Sequence, residues 1–359
     1  MLNINKFILF SLVSFIIISS VYADSLIEKV TIPNSYIATY VNFNKTYNSP
    51  LFKYINERLE KVDKNKVNQA DLYRNIIKVL KKYNLNENDF KAFASTIGLK
   101  NPNIASLDKI EKSDINFAFG FSLTKSISFS DLDNIIKDII KNEKKVTSAI
   151  VTYKSEKYIR VVDDNEVFYI TTLPENKIIL GSETQSNLHL LINNIKHNKH
   201  ILFTPELSKI YSKLNKKSSS YFALALPDSI TKNITTAKSF KNEGIKSIDT
   251  EIFKNIKGLT LQADINSDLV LKVDTSFTGS KAAKAFDLLL NQFIPTFKIM
   301  LFMSAKGPLP MLNTVKNSLN SENVVDFYVK ISKQDIKTLY KFISSKNGVE
   351  SLSKIVNIK

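Results

Sequence analysis

Three histidines, His189, His197 and His200, are the side chains in this chain best suited to a metal ion, and they fall on or just after one amphipathic stretch. On a helix rising 1.5 Å per residue, His189 and His197 stand about 12 Å apart along the axis and cannot share an ion. Only His197 and His200 could chelate, but Lys196 and Lys199 beside them repel a cation, and an imidazole pair needs further ligands. No metal site is expected. The run Asp264-Ile265-Asn266-Ser267-Asp268 starts like a calcium loop, with oxygen side chains at its first, third and fifth positions. It then places Leu269 where glycine is needed and Thr275 where a bidentate glutamate belongs, so a hairpin turn explains it better.

Nucleophiles and paired acids give little more. Ser-x-x-Lys, the nucleophile signature of penicillin-recognising enzymes, begins at Ser106, Ser122, Ser229 and Ser351, without a Lys-Thr-Gly partner, in a chain rich in both residues. Gly-x-Ser-x-Gly is absent, and eight dispersed glycines build neither a phosphate loop nor a dinucleotide fingerprint. Asp163-Asp164-Asn165-Glu166 could supply paired carboxylates for glycoside hydrolysis, yet these residue types also make a β-turn. No catalytic residue and no cofactor is assigned, and the chain is read as non-enzymatic.

The remaining chemically distinctive stretch is Ala285 to Leu312, which holds Met300, Met303 and Met311. Phe286, Phe293, Phe297, Lys298, Met300, Phe302 and Met303 could bind an apolar ligand, the lysine meeting an anionic head group. The competing expectation is a buried core helix kinked at Pro295. Asp287, Asn291, Gln292, Pro295 and Lys298 interrupt the stretch, so it is not a membrane span.

These residues sit in a chain that carries an export address. Lys6 precedes an apolar run from Phe7 to Ile18, and Val21-Tyr22-Ala23 presents small residues to signal peptidase. The run is shorter than the roughly 20 residues that cross a bilayer. A signal peptide over 1–23 is expected, with cleavage between Ala23 and Asp24. The chain contains no cysteine, which excludes disulfides, thiolate nucleophiles and thiolate metal sites. The formal charge is +16, of which Lys6 leaves with the signal, but Arg58, Arg74 and Arg160 are the only arginines. Without a guanidinium cluster no specific nucleic-acid site is expected. An anionic envelope polymer, a membrane surface or a lipid remains a suitable partner.

The elements that must position these residues alternate between strands and helices. Asn34 to Phe43 reads as a strand running into a polar loop, and Ser49-Pro50 opens a helix. Helical spacing follows at Leu72, Ile76, Val79, Leu80 and Tyr83, and again at Phe90, Phe93, Ala94 and Ile97 before Gly98. Ile115 to Leu123 is a strand, and Ser130 with Asp133 caps the next helix. A meander from Val146 to Leu180 ends at Gly181, read as a turn residue, and Ser182 caps a helix beginning at Glu183. A short helix starts after Thr204-Pro205. The strand at 220–229 then echoes that at 35–44, and the strand, serine cap and helix from Asp326 echo those from Phe119.

The segments "ENKIILGSETQSNLHLLINNIK", "FTPELSKIYSKLNKKSSSYFALALPDS" and "KGLTLQADINSDLVLKVDTSFTGSKAAKAFDLLLNQF" together resemble a broad class of exported bacterial proteins built from duplicated α+β units. The likeness covers about half the chain and is structural, resting on Ile179 to Ser182 and on Tyr221 to Phe293. It implies export and architecture, and it brings no catalytic residues. The expected fold is therefore α+β, with two related lobes, 24–217 and 218–359, each made of mainly antiparallel sheet packed by amphipathic helices after a diverged duplication. The expected function is an exported, non-catalytic protein of the periplasm or exterior acting through its surface. A carrier or chaperone for an apolar ligand and an envelope hydrolase with dispersed carboxylates are the alternatives.

Overall fold

The computed structural model of the protein describes residues 23–59, 76–101, 111, 114–141, 143, 145–164, 166–199, 201–232, 251–305, 309–320 and 323–343. The expected signal segment up to residue 22 lies outside them, as do His200, Ser106 and Ser351, and Ala23 and Asp24 open the first helix. In chain order, helix α1 (Ala23–Lys29) precedes strand β1 (Ser35–Asn42) and short helices α2 (Phe43–Tyr47) and α3 (Pro50–Leu59). Strands β2 (Phe90–Leu99) and β3 (Ile115–Leu123) lead to α4 (Phe129–Ile140). The meander is β4 (Val146–Tyr153), β5 (Glu156–Asp163), β6 (Glu166–Leu173) and β7 (Ile178–Ser182), followed by α5 (Gln185–Lys196) and α6 (Pro205–Tyr211). Then come β8 (Ser220–Ala225), α7 (Asp228–Lys232), α8 (Glu251–Lys254) and the hairpin β9 (Ile256–Ile265) with β10 (Leu269–Phe277). The 26-residue helix α9 (Ser280–Ala305), β11 (Lys316–Asn320), β12 (Val324–Ile331) and α10 (Lys333–Ile343) complete the described chain.

All twelve strands join one antiparallel sheet in the order β11-β12-β10-β9-β8-β1-β2-β3-β7-β6-β5-β4. The α+β class is as expected. In place of one sheet per lobe, a single sheet passes through the position assigned as a boundary, because β1 pairs with β8 from Ile37 opposite Leu224 to Val41 opposite Ser220.

Side chains alternate across a sheet, so register assigns each to a face. The first face carries Ala38, Ala92, Ala94, Ala118 and Ala223, whose small side chains let helices approach closely, together with Tyr40, Leu180 and Tyr221. Helices α1, α5 and α6 cover it through buried Leu26, Ile27, Leu188, Leu191, Leu207 and Ile210. Each such aliphatic side chain contributes about 1.5–3 kcal/mol on burial. The second face is covered at its ends. There α4 packs with the helical stretch 76–82 over Leu123, Ile159 and Ile179 at one end, and α9 over Leu271, Val325 and Val329 at the other.

Four local expectations are corrected. Phe90 to Ile97, expected to be helical, is strand β2, whose Ala92, Ala94 and Thr96 are buried on one face while Phe93 and Ile97 point to the other. Its 3-and-4 apolar spacing suits a helix, but a strand with apolar residues on both faces carries the same set, and pairing to both β1 and β3 decides the matter. The cap of α4 is Ser128 with Asp131, two residues before the expected pair, while Asp133 is buried beside Lys137. Ser182 does not cap a helix. It extends β7, opposite both Ala118 and Tyr169, and donates to the Phe117 carbonyl, so Thr184 becomes the cap by accepting from the Asn187 N–H. Gly181 is mid-strand. The Phe119 ring occupies the space a Cβ would need, with Cζ 2.2 Å from its position.

Candidate functional site

The second face holds its apolar surface in the middle. Register aligns one cross-strand row through Val273, Leu261, Phe222, Thr39, Ser95 and Phe119, on β10, β9, β8, β1, β2 and β3. The adjacent row carries Leu259, Leu224, Ile37, Ile97 and Phe117. Except for Ser95, which is buried, these side chains are half-buried, unlike the fully buried alanines and tyrosines behind them. At about 4.8 Å per strand, the strip is about 24 Å wide. Among the described elements, α4 meets the sheet at β4 and β6, and α9 meets it at β10, β11 and β12, so the two helices flank the strip. Phenylalanines crowd one side, with Phe93 5.0 Å from Phe121 and Phe117 5.7 Å from Phe119 between ring centroids. Such a surface can hold hydrocarbon.

Helix α9, where an apolar-ligand segment was expected, forms one wall of this region. Phe286 is half-buried against Phe277, with centroids 5.3 Å apart, and Ala283 and Ile294 are buried. The expectation of a core helix buried all round is corrected: Leu288, Phe293 and Ile299 are 62%, 57% and 60% exposed. The helix lies over the outermost strands, so only one of its faces meets the sheet. Lys298 is half-buried and Pro295 lies within the helix. The side chains of Phe297, Met300, Phe302 and Met303 lie outside the described residues. Asp287, a polar interruption in the sequence, accepts a 2.6 Å hydrogen bond from the Asn317 amide and fastens α9 to β11. No described helix is long and apolar enough to cross a membrane.

The polar groups fall elsewhere. A cleft of about 550 Å³ opens where α2 meets the β9–β10 turn, lined by Asn44, Lys45, Asn48, Ser49, Ser219, Asp264, Ile265 and Asn266. Asp264 is committed within the protein, accepting from the Ser218 hydroxyl, the Ser219 N–H and Lys45, which agrees with a structural turn in place of a calcium loop. His189 Nδ1 lies 3.2 Å from the Tyr158 hydroxyl, and burial, with Glu156 and Tyr153 nearby, pushes that phenol up to about 12. His197 ends α5. Among the described residues no three His, Cys, Asp or Glu side chains gather as a metal would require. Ser122 lies in β3 and Ser229 in α7. Asp163 and Glu166 face each other across the β5–β6 turn, with Asp164 at φ 51°, as a tight turn demands.

Among the described residues, an acid pair not anticipated from sequence lies within the sheet. Asp274 on β10 and Asp326 on β12 are directly opposite, on the first face. The Thr260 hydroxyl donates to Asp274 at 3.2 Å, and Lys272 Nζ stands 3.0 Å from Asp274 and 3.7 Å from Asp326. Burial and then the Asp274 charge raise the Asp326 carboxyl above its usual range, with Lys272 opposing. Lys272 stands between the two carboxyls within the sheet.

No protein-family model matches the chain, and no curated protein matches it. Two crystal forms of the protein TP0453 are similar to it in outline. Form I shares 8% identity at a TM-score of 0.38, covering 88% of this chain and 97% of that one. Form IV shares 10% at 0.41, covering 89% and 96%.

Proposed function

We propose that this chain is an exported, non-catalytic protein of the cell envelope or exterior that binds acyl chains or a similarly apolar partner on the middle of the second sheet face. The observation that carries this reading is the pair of half-buried apolar rows between α4 and α9. Sites for apolar ligands are mostly hydrophobic with few polar groups. Exposed Lys281 and Lys284 on α9, and the strongly positive chain, favour an anionic head group or membrane surface beside them. Export is supported by the Lys6, apolar run and Ala23 pattern, and by buried Leu26 and Ile27, which start the core immediately beyond the proposed cleavage point.

A diverged duplication, as in the class of exported α+β proteins named above, fits the strand order. β1, β2 and β3 lead to a helix, and a later strand, β7, returns beside β3; β8, β9 and β10 lead to α9, and β12 returns beside β10. Helices α5 and α10 then follow β7 and β12. The first unit carries more strands before its return.

The test is titration of the mature protein with a fluorescent fatty acid, alone and against Phe119→Ser and Leu261→Ser. Micromolar binding by the wild type, weakened at least about tenfold in variants that keep their melting transition, is the expected result. A folded wild type that binds neither fatty acids nor phospholipids would sink the proposal.

A further inference from the structure

The apolar strip has a polar notch in its middle. Thr39 on β1 and Ser95 on β2 are direct cross-strand partners on the second face, so their hydroxyls stand side by side. In their row they lie between Phe222 and Phe119, and along the strands their neighbours on this face are Ile37, Val41, Phe93 and Ile97. Two small side chains among larger ones make a dip in the surface. Ser95 is only 7% exposed, yet among the described residues neither its hydroxyl nor that of Thr39 has a hydrogen-bond partner. An unpaired buried hydroxyl is destabilising, and native structures leave few of them. The notch also divides two chemistries. On its β3 side Phe93, Phe117, Phe119 and Phe121 form a continuous group of rings, with successive centroids 5.0, 5.8 and 5.7 Å apart. Phe119 folds its ring over Gly181 of β7, on the side away from Ser95. On the other side Ile37, Leu224, Leu259, Leu261 and Val273 are aliphatic, with Phe222 among them.

From this arrangement we infer that the strip takes a neutral lipid in which a carbonyl lies between a planar ring and an aliphatic chain, as in a quinone with an alkyl tail. The inference rests on the apolar-ligand reading above and narrows its ligand. Two hydroxyls that donate to nothing in the protein can both donate to one carbonyl oxygen, which has two lone pairs. The acceptor must be uncharged. The rows running from Leu271 to Phe121, from Val273 to Phe119 and from Leu259 to Phe117 contain no charged side chain, so a carboxylate seated at the notch would be buried without a counter-ion. That keeps the head group of a free fatty acid out of this position and leaves its chain free to use the strip. The rings of the β3 side hold another flat ring through offset or edge contacts. The aliphatic side, four strand spacings from Ser95 to Val273, is about 19 Å long. It accommodates a chain of about fifteen carbons, each advancing ~1.3 Å as the projection of a single bond of about 1.5 Å. The aromatic side is a single spacing wide before β7, which suits a ring and not a second long chain.

The probes are hexylbenzoquinone, hexylbenzene, which keeps ring and chain without the carbonyls, and ethyl octanoate, which has a carbonyl without a ring. Each is titrated into the mature protein by isothermal calorimetry. The quinone should bind at least about fivefold more tightly than either of the others, the margin that a pair of neutral hydrogen bonds supplies. Ser95→Ala and Thr39→Val should each weaken the quinone at least about threefold, and together about tenfold, without changing the affinity for hexylbenzene. Both should leave the melting temperature unchanged or higher, because the hydroxyls they remove have no partner in the protein. The infrared carbonyl stretch of the bound quinone should lie below its value in hydrocarbon and return to it in the double variant, a change that altered packing alone does not produce. If Ser95→Ala fails to fold, Thr39→Val at its half-buried position carries the same measurements. Quinone affinity and carbonyl frequency unchanged in the folded variants would overturn the inference. Equal binding of all three probes would overturn it while leaving the strip an apolar site, whereas no binding of any probe or of fatty acids would sink the underlying reading with it.

Discussion

The two edges of this sheet are built on opposite principles. β11, at one end, has five residues, begins with Lys316 over the Tyr328 ring, and is fastened to α9 by the Asn317 amide on Asp287. β4, at the other, has eight uncharged residues in unbroken register. Half of the backbone groups of any edge strand lack a sheet partner, so an edge must be shortened, charged, covered or used. β11 shows the first three devices. β4 shows none within the strand, and charges of both signs stand about its ends, Lys145 with Asp164 at one and Lys154 at the other. An edge therefore has to be judged by what lies at its ends as well as by what lies within it.

The largest effect that can sharpen this contrast is a proline on the inward side of β4. Tyr153 and Glu156 close the two-residue β4–β5 turn as a hydrogen-bonded pair, and bonding alternates from there, so Ala149 turns its N–H to β5 and Ile150 turns its N–H away. Ala149→Pro removes a ladder bond to β5 and should cost about 2–3 kcal/mol in denaturant unfolding, against about 1 kcal/mol or less for Ile150→Pro one residue away. Equal costs would mean that the assignment of inward and outward amides is wrong. At the guarded edge, Asn317→Ala removes a hydrogen bond to a carboxylate and should cost about 2 kcal/mol, with faster exchange of the β11 amides.

A third test uses pH and the acid pair one strand in from that edge. The folded Asp326 carboxyl has a raised pKa, caused first by burial and then by Asp274, so the folded state holds its proton more tightly than the unfolded state. The associated stability is fully present below the ordinary carboxyl range and is lost as pH rises through the raised folded value. Asp326→Asn should therefore flatten this fall in melting temperature from mildly acidic to neutral pH and give the more stable protein at pH 7. A pH profile unchanged by the substitution would contradict a raised Asp326 carboxyl. The smallest effect is at the β4–β5 turn, where Ser155 adopts φ 67°. Ser155→Gly should stabilise by about 0.5–1 kcal/mol, visible as a higher denaturant midpoint, because glycine tolerates this conformation.

What the sequence conveyed well was local. The alternation of Ser35 to Asn42, the β9–β10 hairpin around Asn266 to Asp268, the Ser49 cap of α3 and the Pro205 start of α6 are all present, since each depends on neighbours within a few residues. β2 was misread because Phe90, Phe93, Ala94 and Ile97 have helical spacing while the strand carries apolar residues on both of its faces, and only pairing to β1 and β3 separates the two readings. Caps were placed near the right helices but on the wrong residue, since Ser182 and Thr184 are equally good caps until β7 claims Ser182 for its ladder. The candidate site was the least legible. Phe119, Phe222 and Leu261 are far apart in sequence and share a row only because four separate registers align them. The expected ligand segment of α9 was recognisable by its composition, whereas the strip beside it has no compositional signature.

The β1–β8 seam has a kinetic consequence. Its partners Ile37 and Leu224 are separated by more than half of the chain, and loops of that size close slowly. Until Ser220 to Ala225 is available, β1 has β2 on one side and nothing on the other. A chain halted before β8 would consequently present a temporary edge through what becomes the centre of the sheet, flanked by the same phenylalanines that later line the apolar strip. Assembly of this protein is thus most vulnerable to misassociation during the interval between synthesis of β1 and arrival of β8.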